Sequence, residues 1–359
     1  MKHFFILGRN PELSRAEVLA FFEARGRHHI EVLFEDNFLV IETGDGERLD
    51  VNEFGGVMKM GPVLFEGEEK NLAEYLDKNE LVPADKFSFG VFGNGDVETL
   101  KGKFKTEKKR AVLKHGKRQI KFQDGEKVEL PNADYYLFFH EFGGTVYLGL
   151  VSQEYDVESV KERDMWKPVR RESLAISPRL SKILINLSGA KPGDLMLDPF
   201  CGVGGILQEA LLKKISVHGS DRDGVAINDG RKNLKWLSEN YDFNVKYTMK
   251  VEDARKVPDL QFGAVATETP LGKVFRKKPS GGEAEKVISN FEGFIVPVLS
   301  RLKRCKKAKA RIAITFPAIR DFRVDAHKVA DKSGLKLVGE PILESREDQF
   351  VSREIVVLV

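Results

Sequence analysis

The sequence predicts an α/β protein in which smaller α+β units precede a C-terminal domain built on a doubly wound parallel sheet. From residue 193 onward, strand-like and helix-like segments alternate, which is typical of a parallel sheet covered by helices. A glycine-rich turn joins the first of these strands to its helix. Residues 1–151 lack this alternation, and the length of 359 residues allows two or three domains.

Residues 1–65 predict a first α+β unit. A strand-like run, His3–Leu7, is followed by a polar turn and then by a predicted helix over Arg15–Arg25. Ser14 and Glu17 have the spacing of a capping box, which would place the start of that helix at Ser14. Two further strands are predicted, Ile30–Phe34 and Phe38–Ile41.

Residues 66–151 predict a second α+β unit with a strongly basic segment. Strands are predicted at Phe87–Phe92 and Thr145–Val151, and the charge-rich residues 152–175 are interpreted as a linker. Residues 101–121 contain ten Lys or Arg and a single acid. Such a charge density attracts phosphates, although a solvated face is the simpler alternative. The candidate RNA-binding residues are Lys105, Lys108, Lys109, Arg110, Lys114, Lys117 and Arg118.

Residues 176–359 are predicted to form the α/β domain. Its helices are expected from Ser177 to Leu187 and at Gly205–Lys213, Gly224–Asn240, 281–300 and 321–333. Its strands are expected at Leu195–Leu197, Val217–Ser220, Val245–Met249, Ala264–Ala266, Ala310–Thr315, Leu335–Val338 and Arg353–Val359.

The clearest chemical signal lies between the first strand and the first helix of this domain. Asp198 ends the strand, and Gly202 and Gly204 follow before the helix begins. Glycines allow a ligand to approach the backbone, and a helix start offers free N–H groups. In doubly wound sheets a ligand lies beyond the carboxyl ends of the strands. An ordinary glycine turn is the alternative interpretation, because such a motif alone is weak.

Acids at the ends of the next two strands favour a nucleoside ligand. Asp221 is placed to bind ribose hydroxyls, and Asp253 follows the third strand. Three spaced acids suit a nucleoside with exposed ribose and adenine and without a pyrophosphate, which favours S-adenosylmethionine over NAD. The candidate cofactor-binding residues are Asp198, Pro199, Phe200, Gly202, Gly204, Asp221, Arg222, Asp253 and Ala254.

The sequence lacks the usual motifs of several other classes of enzyme. There is no His-Glu-x-x-His, no phosphate-binding Gly-x4-Gly-Lys-Ser/Thr and no Gly-x-Ser-x-Gly. Two cysteines cannot build a disulfide framework or a four-thiolate zinc site. We therefore expect no metal. No apolar run is long enough for a membrane helix, so we expect a cytoplasmic protein without a membrane partner, with a monomer favoured.

Three stretches resemble the THUMP-containing tRNA guanosine N2-methyltransferases that modify position 10. They are the opening Phe5-Ile-Leu-Gly-Arg-Asn-Pro-Glu-Leu-Ser14, the segment Ile176-Ser-Pro-Arg-Leu-Ser-Lys-Ile-Leu-Ile-Asn-Leu187 with Arg163-Asp164 before it, and Asp198-Pro-Phe-Cys-Gly-Val-Gly-Gly-Ile-Leu-Gln-Glu-Ala. The resemblance spans nearly the full chain. It implies a ferredoxin-like unit, a THUMP domain that binds tRNA, and a Rossmann-like class I methyltransferase domain that uses S-adenosylmethionine.

The chain departs from that family at the catalytic motif. Where the family carries Asp-Pro-Pro-Tyr-Gly, this chain has Thr267-Glu268-Thr269-Pro270-Leu271-Gly272. In the family motif the carboxylate accepts hydrogen bonds from the exocyclic amine, and the aromatic ring stacks on the flipped guanine. Glu268 keeps a carboxylate with one more methylene, whereas Leu271 offers apolar contact without a π face.

The leading hypothesis is an S-adenosylmethionine-dependent tRNA methyltransferase acting on guanine N2. In this hypothesis Glu268, Pro270 and Leu271 form the catalytic loop. Two alternatives stay open: a catalytically impaired THUMP-containing protein that only binds tRNA, and a DNA amino-methyltransferase. The N-terminal half disfavours the DNA enzyme.

Overall fold

The structure, a computed structural model, divides into two compact units. It describes residues 1–115, 117–121, 127–171, 176–272, 275, 277–345 and 349–359, without the side chains of 117–121 and 127–131. The first unit comprises residues 1–11, 27–52 and 56–161, and the second comprises residues 12–26, 53–55 and 162–359. Within the described ranges, no helix is both long enough and apolar enough to cross a membrane.

The N-terminal half of the chain is mainly β. Its elements are β1 (Lys2–Leu7), α1 (Pro11–Ala24), β2 (His29–Glu35), β3 (Phe38–Thr43), β4 (Val57–Gly67), α2 (Glu69–Lys78), β5 (Lys86–Phe92), α3 (Val97–Thr106), β6 (Arg110–Leu113), β7 (Lys117–Lys121), β8 (Lys127–Pro131), β9 (Tyr135–Phe142), β10 (Thr145–Leu150), β11 (Gln153–Glu154) and α4 (Val157–Trp166).

The first unit is built on one continuous sheet in the order β2-β3-β1-β4-β10-β9-β5-β6, and β11 adds to β4. The long strand β4 joins its two halves, because its first residues pair with β1 and its last residues pair with β10. The predicted boundary at residue 65 therefore falls inside β4. The predicted linker 152–175 contains β11 and α4, while 172–175 lie outside the described residues.

The second unit begins its regular alternation after α4. Its further elements are α5 (Pro178–Leu187), β12 (Leu195–Asp198), α6 (Gly205–Leu212), β13 (Ser216–Asp221), α7 (Gly224–Asn240), β14 (Tyr247–Val251), β15 (Ala264–Thr267), α8 (Gly281–Cys305), β16 (Ile312–Ile319), β17 (Phe322–Arg323), α9 (Ala326–Ser333), β18 (Ile342–Glu344) and β19 (Ser352–Leu358).

These strands form a sheet in the order β14-β13-β12-β15-β16-β19-β18. The strands from β14 to β16 run parallel, as predicted, whereas β19 runs antiparallel to both neighbours. Successive residues of β12 face opposite sides, because Met196 and Leu197 belong to different core clusters. Since the strand order reverses between β12 and β15, this point of the sheet is where a ligand is expected to bind.

Helix α1 differs from its prediction in both its start and its surroundings. It begins at Pro11, so Ser14 lies inside the helix and the predicted capping box is wrong. Proline favours the first helical position, which explains the earlier start. The buried carboxylate of Glu17 instead accepts hydrogen bonds from Gly55 N and Asn186 Nδ2, each at 2.7 Å. The helix thereby belongs to the second unit.

Candidate functional site

A cavity of about 530 Å³ opens at the carboxyl ends of β12, β13 and β15. This volume falls in the range typical of small-molecule sites. Its wall is formed by the loop after β12, by the end of β13, by the loop after β15 and by part of residues 349–353. The cavity therefore lies at the strand-order reversal predicted to bind a ligand.

The glycine loop after β12 has the backbone conformation that its sequence requires. Gly202 and Gly204 have φ angles of +51° and +88°, in the left-handed region that favours glycine. Among the described residues, leaving out Gly202 and its two chain neighbours, no heavy atom lies within 4 Å of the position that a Cβ would take at Gly202. Gly204 is the N-cap of α6. The absence of a side chain at Gly202 therefore leaves room for a ligand to approach the backbone of the loop.

Asp198 lines the cavity at the end of β12. Its side chain is buried and accepts hydrogen bonds from Thr267 Oγ1 at 2.6 Å and from Phe200 N at 3.1 Å. Burial raises the pKa of Asp198 to about 7, even though these hydrogen bonds favour its charged form. The Asp198 carboxyl therefore gains its charge more readily when a positive group enters the cavity.

Asp221 also faces the cavity, at the end of β13. One of its oxygens accepts a hydrogen bond from Gly202 N at 3.0 Å and the other from Asp223 N at 2.9 Å. These bonds fix the carboxylate, and each oxygen keeps a further lone pair for a ligand hydroxyl. Phe200 and Arg222, two other predicted cofactor-binding residues, line the cavity as well.

The remaining predicted cofactor residues do not line this cavity. Pro199 and Gly204 are neighbours of lining residues in the loop. Asp253 accepts a hydrogen bond from Arg255 Nε at 2.9 Å, and that contact holds its pKa well below the usual range. Ala254 is buried in the apolar core. The structure thus brings Asp198 and Asp221 together but leaves Asp253 and Ala254 outside the lining.

The loop after β15 contributes all three predicted catalytic residues, Glu268, Pro270 and Leu271, to the cavity wall. Between them, Thr269 is buried against β16: its N–H donates to Thr315 Oγ1 at 3.1 Å and its hydroxyl donates to Thr315 O at 2.6 Å. This anchoring fixes the loop at the residue directly after Glu268.

The structure adds a residue that the sequence did not indicate. Arg353, on β19, donates a hydrogen bond from Nε to Glu268 Oε1. Its Nη1 donates to Gln349 Oε1 at 3.1 Å, and both residues line the cavity. Arg353 and Glu268 are 85 positions apart in the sequence, and no local motif connects them.

The predicted RNA-binding residues lie in the first unit, around the end of α3 and along β6. Lys105, Lys108, Arg110 and Lys114 are exposed. Lys109 is different: its side chain is 5% exposed, and its Nζ pairs with Glu80 Oε1 at 2.6 Å. Lys109 is therefore not part of the exposed basic surface. The side chains of Lys117 and Arg118 lie outside the described part of the chain.

Comparison with known proteins identifies the class of the second unit. Residues 166–326 match the family UPF0020, described as an RMKL-like methyltransferase domain. The solved structure of TrmN from Thermus thermophilus is similar in fold, with a TM-score of 0.53 and 13% identity, covering 100% of this chain and 99% of that one. These matches confirm the predicted Rossmann-like methyltransferase fold.

Two curated relatives indicate a more specific class of methyltransferase. The chain is 27% identical to the tRNA (guanine(10)-N2)-dimethyltransferase of Pyrococcus abyssi over 93% of its own length and 92% of that protein. It is 38% identical to the enzyme of the same name from Methanothermobacter thermautotrophicus over 33% of each chain. The names of these relatives agree with the family that the sequence resembles.

Proposed function

We propose that the protein is an S-adenosylmethionine-dependent tRNA methyltransferase acting on guanine N2. The observation that carries this proposal is the cavity at the strand-order reversal, which brings Asp198 and Asp221 together with the Glu268 loop. The full-length similarity to an enzyme named for guanine N2 supports the choice of substrate.

The residues of the cavity fit this cofactor. Asp221 presents fixed carboxylate oxygens to a ribose, and the accessible backbone at Gly202 allows close approach. Asp198 and Glu268 provide negative charge for a cationic ligand. Bound S-adenosylmethionine supplies a methyl group activated by the positively charged sulfur. Glu268 accepts an N–H of the target amine and thereby orients it, so that proximity supplies much of the rate.

The decisive experiment is to incubate the protein with cofactor labelled in its methyl group and with bulk unmodified tRNA. Mass spectrometry of the nucleosides should then show label in N2-methylated guanosine. Binding of tRNA without any transfer would favour the binding-protein alternative. Label in the amino groups of a duplex DNA substrate, and none in tRNA, would favour the DNA enzyme.

We expect Asp221→Ala to weaken cofactor binding roughly tenfold or more, because a hydrogen bond to a charged group contributes roughly 1.5–3 kcal/mol. Isothermal titration calorimetry measures this change directly. Asp242→Ala is a suitable control, since Asp242 does not line the cavity. Unchanged affinity in a folded Asp221→Ala protein would remove Asp221 from the cofactor site.

Cofactor binding should also depend on pH through Asp198. A ligand with positive charge favours the ionised carboxylate, so its affinity should rise as the pH increases through about 7. S-adenosylhomocysteine lacks the charged sulfur and should show a weaker dependence. Asp198→Asn should flatten the pH profile for S-adenosylmethionine. Equal pH profiles for both ligands would show that Asp198 does not sense the sulfur charge.

The exposed basic residues of the first unit are proposed to bind the tRNA backbone. Charge reversal at Lys108, Arg110 and Lys114 should weaken tRNA binding and reduce its salt dependence, because fewer counterions are released. Cofactor affinity should stay unchanged. Lys70, Lys78 and Lys161 form the matched control, since each lies outside residues 101–121 and is already paired with an acid. An unaltered salt slope after reversal at the first three positions would assign them to a solvated face.

A further inference from the structure

The altered catalytic loop lacks an aromatic ring at Leu271, yet the cavity wall contains rings from elsewhere in the chain. Phe200, Phe275 and Phe350 all line it. Phe200 packs against Phe294, with 5.7 Å between ring centroids, and lies partly buried against the apolar core. Phe350 is 43% exposed, and in the described part of the chain it makes no ring contact. A large exposed ring at a cavity wall is a ready stacking surface for a base.

The same C-terminal segment also holds the Glu268 carboxylate. Glutamate has one more rotatable bond than the aspartate of the family motif, so its carboxylate reaches more positions. Arg353 restricts these positions through its bond to Oε1, and Gln349 holds the guanidinium in turn. Among the described residues, Glu268 Oε2 has no hydrogen-bond partner, so it is available to accept an amine N–H.

We propose that residues 349–353 form the second half of the target-base site. In this arrangement the ring of Phe350 stacks on the base, and Arg353 is a positioning residue that holds Glu268 for the amine. This inference rests on the proposed function and deepens it. It also gives a physical reason for both departures in the loop: the ring is supplied from 349–353, and the longer acid reaches the arginine on β19.

Phe350→Leu keeps apolar volume but removes the π face. We expect it to lower kcat/KM for tRNA roughly tenfold or more, the loss expected for one stacked base, while cofactor affinity is unchanged. Phe350→Trp keeps a stacking surface and should therefore lose less activity than Phe350→Leu. Tyr247→Leu is the matched control, because Tyr247 is 40% exposed on β14 and does not line the cavity.

Arg353→Gln should lower kcat while leaving the KM for tRNA and the cofactor affinity near their parent values, because only the orientation of Glu268 changes. Arg353→Lys should recover part of kcat. In a Glu268→Ala background, Arg353→Gln should add little further loss, because the carboxylate that Arg353 positions is already absent. Arg323→Gln is the control: Arg323 pairs with Glu354 on β19 at 3.4 Å and does not line the cavity.

The outcomes separate this inference from the proposed function. A parent protein that transfers no methyl group to tRNA would overturn the proposed function. A parent that methylates tRNA, with Phe350→Leu and Arg353→Gln acting at parent rates, would overturn the inference alone. Equal losses of cofactor binding and activity in Phe350→Leu would also overturn it, because the ring would then belong to the cofactor site.

Discussion

Glu268→Gln should reduce methyl transfer by roughly 10²-fold or more, because the variant keeps the size of the side chain but loses the charged acceptor for the amine. The amide oxygen can still accept the bond from Arg353, so the fold and cofactor binding should be preserved. Single-turnover transfer of label to tRNA measures the chemical step, and calorimetry with the cofactor checks the site.

Glu354→Gln provides the matched control. Glu354 lies next to Arg353 on β19, pairs with Arg323 and does not line the cavity, so its loss should leave turnover near the parent value. If Glu268→Gln transferred methyl groups as fast as the parent, the assignment of residues 267–272 to the family motif would be wrong.

The second large effect is on stability. Glu209, in α6, is 2% exposed and accepts hydrogen bonds from Arg163 Nε at 3.1 Å and Nη2 at 3.3 Å. Lys182 Nζ lies 3.9 Å from the same carboxylate. Glu209→Ala would remove the buried acid that pairs with these cations, and we expect a loss of roughly 3–5 kcal/mol in the free energy of unfolding. Chemical denaturation measures it.

The pH dependence of this effect has a defined sign. Burial opposes the charge of Glu209, but the neighbouring Arg163 and Lys182 hold its pKa below the ordinary value. Its contribution is therefore present above the unfolded pKa, about 4.3, and is lost as the pH falls through the lower folded pKa. Glu239→Ala removes an exposed pair with Lys235 in α7 and should cost less than about 1 kcal/mol. Equal losses at both sites would contradict this account.

The parts of the site that depend on neighbouring residues could be predicted from the sequence. Asp198, Gly202 and Asp221 were predicted because a strand end, a glycine turn and the next strand end leave local patterns. Their placement at one edge then follows from the geometry of a parallel sheet. Asp253, predicted by the same reasoning, does not line the cavity, and the side chain of Arg255, two residues further on, binds its carboxylate.

Arg353 could not be predicted in this way. Its contact with Glu268 exists because β19 runs antiparallel beside β16, where Pro317 is opposite Arg353. The insertion of β19 between β16 and β18 produces no recognisable pattern in the local sequence. Lys109 shows a related limit: the basic segment is recognisable from composition, but the pairing of one of its lysines with Glu80 depends on tertiary packing.

The position of α1 has a consequence for how this protein can be divided. The second unit includes Glu17 and Glu53, which come early in the chain. Glu53 Oε2 lies 2.7 Å from the buried Nζ of Lys213. A fragment starting at residue 162 would lose both carboxylates and expose the face that α1 covers. A fragment made by a single cut before residue 162 should therefore be prone to aggregation. On the ribosome, the catalytic half can complete its core only by retaining a helix synthesised long before its own first strand.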